Sequence, residues 1–129
     1  MFPIIRADSP VPIFEQIERY WVFRIATGHP QPGEFLPSVR KLAQKLLIHP
    51  NTVVNAYEQL EGAGIITARR GVGMEVTMEA PGICKKRREE MVKLRLQEIL
   101  AESTQGGMSP TEILRLLRVE IKTREDNKA

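Results

Sequence analysis

Apolar residues in the first third of the chain recur at helical spacing. Ile13, Ile17, Tyr20, Trp21 and Ile25 share one side of a 3.6-residue repeat, so residues 12–27 read as an amphipathic helix. Pro12 suits its first position, where a missing N–H costs nothing. Gly28 closes it, and residues 28–33, with Pro30 and Pro32, read as a rigid loop. Val39, Leu42, Ala43 and Leu46 predict a second, short helix with Ser38 as its N-cap. Ile48, His49 and Pro50 interrupt it, and Pro50 opens a third helix with Val53, Ala56, Tyr57 and Leu60 inward. Gly62 and Gly64 bracket its end. Residues 65–68 then read as a strand, 69–73 as a turn and 74–77 as the return strand, a β-hairpin with a basic tip.

Ala80, Pro81 and Gly82 mark the expected boundary. Beyond it, residues 85–104 predict a charged helix with Val92, Leu96, Ile99 and Leu100 on one side, and Gly106 and Gly107 break it. Ser109, Pro110, Thr111 and Glu112 form a capping box for a last helix. That helix carries Ile113, Leu114, Leu117 and Ile121 on one face, with Leu116 and Val119 off the stripe, so it is expected to be covered on two sides. One side would be the preceding helix and the other a second subunit. Residues 1–10 read as extended and the last few as frayed. The expected fold is α+β, mostly α: an N-terminal winged helix-turn-helix over residues 1–79 and a two-helix C-terminal dimerisation appendage over 80–129.

Composition narrows the function classes. At 129 residues, 42% hydrophobic and 27% charged, the chain reads as soluble and globular, with a core too small for a typical enzyme. No nucleophile–base pairing, carboxylate pair or cofactor fingerprint is visible, and residues 71–73 fit no nucleotide loop. The single cysteine, Cys84, permits no intramolecular disulfide and suits a reducing interior. There is no apolar leader and no run of about 18 apolar residues, so a cytoplasmic protein without a membrane segment is expected. His29, His49 and Cys84 lack ligand spacing, so neither a metal nor a cofactor is expected.

Charge points to an anionic partner through its placement. The net charge is +3 and the pI about 9.2. Residues 1–79 hold eight basic and eight acidic residues, yet between Leu36 and Gly73 five bases face only Glu58 and Glu61. A local basic patch is better evidence for nucleic acid than overall charge. With its apolar face held inward, the third helix turns Asn51, Asn55, Glu58 and, at the edge, Val54 outward. Asn pairs bidentately with adenine in the major groove, and a helix N-terminus favours phosphate. Arg40 on the second helix and Arg69 and Arg70 at the hairpin tip are placed to grip the backbone or the minor groove, with Gly71 allowing the turn. The Lys85–Arg88 run is followed at once by Glu89 and Glu90 and reads first as a solvated face.

The residues Leu36-Pro37-Ser38-Val39-Arg40-Lys41-Leu42-Ala43, then Pro50-Asn51-Thr52-Val53, Ala56-Tyr57, Leu60-Glu61, Gly64-Ile65-Ile66 and Arg69-Arg70-Gly71-Val72-Gly73, resemble the GntR family of repressors. The match covers roughly residues 11–78. The short two-helix tail resembles the YtrA subfamily, which lacks the large effector domain of other branches. The resemblance implies a DNA-binding repressor acting as a homodimer on double-stranded DNA. It implies that Arg40, beside Ser38, contacts DNA from the second helix. Asn51, Thr52 and Asn55 fall on recognition-helix contact positions, and Arg70 and Gly71 on the wing tip. Three positions depart from the pattern: His49 replaces the usual Ser or Asn cap, Val54 stands where relatives often have a polar residue, and Met74-Glu75 replaces Thr-Phe after the wing. Two other readings compete with an operator-binding regulator: a metabolite sensor using the tail, and a winged-helix protein-interaction module.

Overall fold

The computed structural model describes residues 2–128; Met1 and Ala129, the outermost residues of the two expected domains, lie outside them. Seven elements follow in order: α1 (Ile13–Ala26), α2 (Val39–Leu46), α3 (Pro50–Gly62), β1 (Ile66–Arg69), β2 (Gly73–Val76), α4 (Ala80–Gln105) and α5 (Pro110–Lys128). The protein is therefore mostly helical, with one two-stranded antiparallel sheet, a winged helix-turn-helix followed by two C-terminal helices. No helix among the described residues is long and apolar enough to cross a membrane.

The chain divides into two compact units, one reaching Glu89 and one starting at Glu90. In the first, α1 buries Ile17, Trp21, Val22 and Ile25, and α1 packs chiefly on α3. Leu42 and Ala43 from α2, Val53, Ala56, Tyr57 and Leu60 from α3, and Ile65, Ile66 and Val76 from the hairpin complete one core. These are the inward positions expected from periodicity. A fully buried leucine such as Leu60 contributes about 2–5 kcal/mol against truncation to alanine.

Two features of this unit escaped the periodicity. The N-terminal arm is tied to α1 by one side chain: Gln16 accepts from the Arg6 N–H and donates to the carbonyls of Arg6 and Val11, all at 2.9 Å. The segment expected to be only a loop before α2 also pairs with β2. Its bonds run from Gly33 N–H to the Val76 carbonyl (2.9 Å), from Val76 N–H to the Glu34 carbonyl (2.8 Å) and from Leu36 N–H to the Met74 carbonyl (3.0 Å). Phe35 bridges Glu75 antiparallel. Strand β2 is thus held on both edges, which stiffens the wing where it leaves the core.

Helix α4 begins at Ala80, five residues before the expected start. Ala80 and Cys84 are fully buried, and Pro81 is tolerated in the first turn because that N–H has no helical partner. Arg87 donates to Glu18 of α1 at 3.1 Å, so apolar burial and an ion pair hold this stretch to the first unit. In the second unit, neither α4 beyond Glu90 nor α5 buries a residue. Leu117 and Ile121 are nearly half exposed, so the expected cover of α5 by the preceding helix is not provided within the chain.

The turn between α2 and α3 is made by Leu47, the only non-glycine residue with positive φ among those described (+56°). The Ile48 N–H closes it on the Ala43 carbonyl at 3.1 Å, the pattern of a left-handed helix cap. A Cβ in that region costs roughly 1–2 kcal/mol, and Leu47 is 91% exposed, so its side chain recovers nothing by burial. Leu47→Gly is therefore expected to raise stability by about 0.5–1 kcal/mol, after allowance for glycine's larger unfolded-state entropy. A urea titration with an unchanged slope checks this; a destabilised variant would refute the strain assigned to Leu47.

Candidate nucleic-acid interface

The eight residues expected to meet DNA lie in the first unit, and the nine expected to hold a dimer lie in the second. The two sets do not mix.

At the start of α2, the Ser38 Oγ accepts from the Lys41 N–H at 3.1 Å, so Ser38 caps the helix as expected. Ser38, Arg40 and Lys41 are all exposed, which leaves two cations in the first turn of a helix whose N–H groups already favour an anion. On α3, Asn51, Asn55, Glu58 and Gln59 are exposed, Val54 borders on exposed and Thr52 is half-buried. Asn51 and Asn55 are one helical turn apart on the side opposite Val53, Ala56 and Leu60. Val54 adds an apolar contact surface, and the thymine methyl is the apolar group that a major groove offers.

His49 makes the cap that its replacement of Ser or Asn called into question. Its Nδ1 accepts from the Asn51 N–H at 3.1 Å, and Pro50 occupies the first helical position behind it. That bond requires an Nδ1 without a proton. The recognition helix is anchored from within by Tyr57, whose hydroxyl donates to the Pro37 carbonyl at 2.7 Å. Burial raises the Tyr57 pKa well above its ordinary value, so the hydroxyl remains a donor at any physiological pH. One hydrogen bond thus joins the middle of α3 to the residue that precedes the cap of α2.

In the wing, β1 pairs with β2 in the register Ile66–Val76, Thr67–Glu75, Ala68–Met74 and Arg69–Gly73, leaving Arg70, Gly71 and Val72 as the tip. The Val72 N–H closes the turn on the Arg69 carbonyl at 2.9 Å. Gly71, third in that turn, has φ +77°, the conformation that such a turn reserves for glycine. Arg69 and Arg70 differ in setting. Arg69 Nε donates to Glu75 at 2.8 Å across the strands, so Glu75, which could have faced phosphate, faces an arginine. Arg70 stands exposed at the tip.

Of the basic run at the start of α4, Arg87 is engaged with Glu18 and Arg88 is half-buried, so Lys85 and Lys86 are its fully exposed members. Cys84 is a core residue; burial pushes its thiol up to about 11, against a smaller lowering by Arg87.

Comparison with known proteins matches this architecture. The family of bacterial regulatory proteins called gntR matches residues 14–76. The transcriptional repressor YtrA of Bacillus subtilis (strain 168) is 35% identical over 100 residues, covering 78% of this chain and 77% of that protein. Among solved structures, a GntR family transcriptional regulator from Listeria monocytogenes superposes with a TM-score of 0.70 at 32% identity, covering 86% of this chain and 96% of that one. YtrA from Sulfolobus acidocaldarius, a GntR-family transcription factor, superposes at 0.56 with 28% identity over 93% of this chain and 97% of that one.

The Tyr57 hydroxyl bond gives a direct test of the α2–α3 joint. Tyr57→Phe removes the donor and leaves the Pro37 carbonyl without it, for an expected loss of about 1–2 kcal/mol. Chemical denaturation measures it; a variant as stable as the parent would show that the bond does not brace the joint.

Proposed function

The chain belongs to the GntR family of bacterial regulatory proteins, in its YtrA-like branch, and on that premise we propose that it represses transcription as a homodimer on a palindromic operator. Its relatives are transcription regulators and not enzymes, and the chain is a DNA-binding regulator of the same kind. In this reading residues 1–79 carry DNA binding, residues 80–129 carry dimerisation, and the protein works in the cytoplasm.

The observation that carries the reading is the layout of α3. Its inward residues are wholly occupied by the core, while Asn51 and Asn55 face out beside the exposed Arg40, and Arg70 stands at a braced wing tip. Asn51, Asn55 and Thr52 read bases from the major groove; Ser38, Arg40, Arg69, Arg70 and Gly71 position the domain on phosphate or in the minor groove. One such domain reads only a few base pairs, and a twofold pair reads a palindrome. The tail supplies the seam through Val92, Leu96, Ile99 and Leu100 of α4 and Ile113, Leu116, Leu117, Val119 and Ile121 of α5. All but the half-buried Ile113 are between 43% and 54% exposed in the single chain.

Three measurements test this. Operator affinity is expected to fall steeply with salt, by about 0.9 in log–log slope per phosphate contacted. Arg40→Ala is expected to weaken specific and random DNA alike, whereas Asn51→Ala or Asn55→Ala loses about 1–3 kcal/mol on the operator alone. A flat salt dependence would defeat the operator reading. Glu75→Gln frees Arg69 and is expected to tighten binding and steepen the salt slope by about one; an unchanged slope would place Arg69 away from phosphate. For the seam, Leu117→Asp in the full chain is expected to sediment as a monomer at micromolar concentration with its fold intact. A dimer surviving that change would move the seam elsewhere.

A further inference from the structure

Within the first unit, a cavity of about 720 Å³ opens between the N-terminal arm, the second half of α1, the segment before α2 and the first turn of α2. It lies in the size range of small-molecule sites. Its walls combine two chemistries. Phe2, Trp21 and Phe35 supply aromatic surface, and Arg24 and Lys41 supply positive charge. The acid in the wall, Glu34, already accepts from the Gln31 N–H at 2.6 Å.

Trp21 is the informative residue. It is 97% buried, being only 3% exposed, and its Nε1–H has no acceptor among the described residues. An indole N–H can only donate, and buried donors in folded proteins are nearly always paired. The missing partner is an acceptor. An acceptor that also answers Arg24 and Lys41 is an anion, and one that fills aromatic walls carries a flat ring.

We propose that this cavity binds a small aromatic carboxylate, the carboxylate meeting Trp21 Nε1–H and the two cations and the ring meeting the aromatic wall. A compact inorganic anion would leave the aromatic wall uncovered, and a neutral aromatic would leave the cations unanswered. The site is separate from the tail, where a sensor would otherwise be sought. It touches Ser38 and Lys41, on either side of Arg40, and the segment that braces β2, so an occupant contacts both elements that present the protein to DNA.

The chain has a single tryptophan, so one indole N–H resonance reports on the site in the full-length protein. Titration with benzoate and with phenylacetate, to about 20 mM as suits ligands of this size, is expected to shift that resonance saturably. Benzyl alcohol, which keeps the ring and lacks the charge, is expected to leave it in place. Lys41→Gln, an exposed change, is expected to weaken carboxylate binding about five- to tenfold, as for loss of one charge-assisted contact. Binding elsewhere, for instance on the apolar tail, would move other resonances and not this one. Absence of a saturable shift, an equal shift with benzyl alcohol, or unchanged binding in Lys41→Gln would each overturn the proposal. No DNA is needed, so the outcome is independent of the operator reading.

Discussion

A recognition helix can read a groove only if the rest of the domain holds it from behind. Here that constraint falls on Tyr57. Its ring is buried beside Val53, Ala56 and Leu60, and its hydroxyl reaches back twenty residues to the Pro37 carbonyl. The bond sets α3 against the start of α2, so the positions of Arg40 on one helix and Asn51 and Asn55 on the other are coupled. A phenolic hydroxyl buried without a partner would cost free energy; with this partner, burial and bonding act in the same direction. The left-handed Leu47 completes the joint, because the chain must reverse within three residues between Leu46 and Pro50.

The same unit shows how charge is managed at a surface meant for an anion. Residues 1–79 are formally neutral, so whole-domain attraction cannot bring DNA in. Local arrangement does that instead. Glu75 is paired with Arg69 and Glu18 with Arg87, while Arg40, Lys41 and Arg70 remain exposed on α2 and at the wing tip. Exposed ion pairs contribute little to stability. Their weight here lies in the potential they leave behind: an acid neutralised beside the wing no longer repels phosphate, and attraction concentrates where unpaired cations sit.

Much of this was legible in the residues. The inward positions of α1, α2 and α3 followed from 3.6-residue spacing, the Ser38 cap from its place before a stripe, and the wing from two short runs around Arg69–Gly73. What escaped has physical causes. The pairing of Gly33–Leu36 with β2 uses backbone groups alone, so side-chain alternation carries no trace of it. Gln16 binds the arm through an amide that any exposed glutamine could offer. The early start of α4 was hidden by Pro81 and Gly82, which usually punctuate and here sit in a first turn fixed by the burial of Ala80 and Cys84. The Arg69–Glu75 pair needs a register, two residues apart diagonally across the strands, that only the turn geometry decides.

The tail shows the opposite relation between sequence and structure. Its apolar stripes were plain in the sequence, and the folded chain leaves them unburied: α5 has no buried residue, and Leu96, Leu100, Leu117 and Ile121 each expose nearly half their surface. Scattered exposed leucines are ordinary in a soluble protein. Leucines, isoleucines and valines repeated along two helices, with nothing within the chain to cover them, are not. Helices of this length gain most of their stability from packing an apolar face, so these two need a partner surface to be stable elements. The first unit closes its own core and turns its polar face to DNA. What remains to cover the stripes is a second copy of the same tail, and the twofold symmetry that such a seam imposes is the symmetry that a palindromic operator presents to its reader.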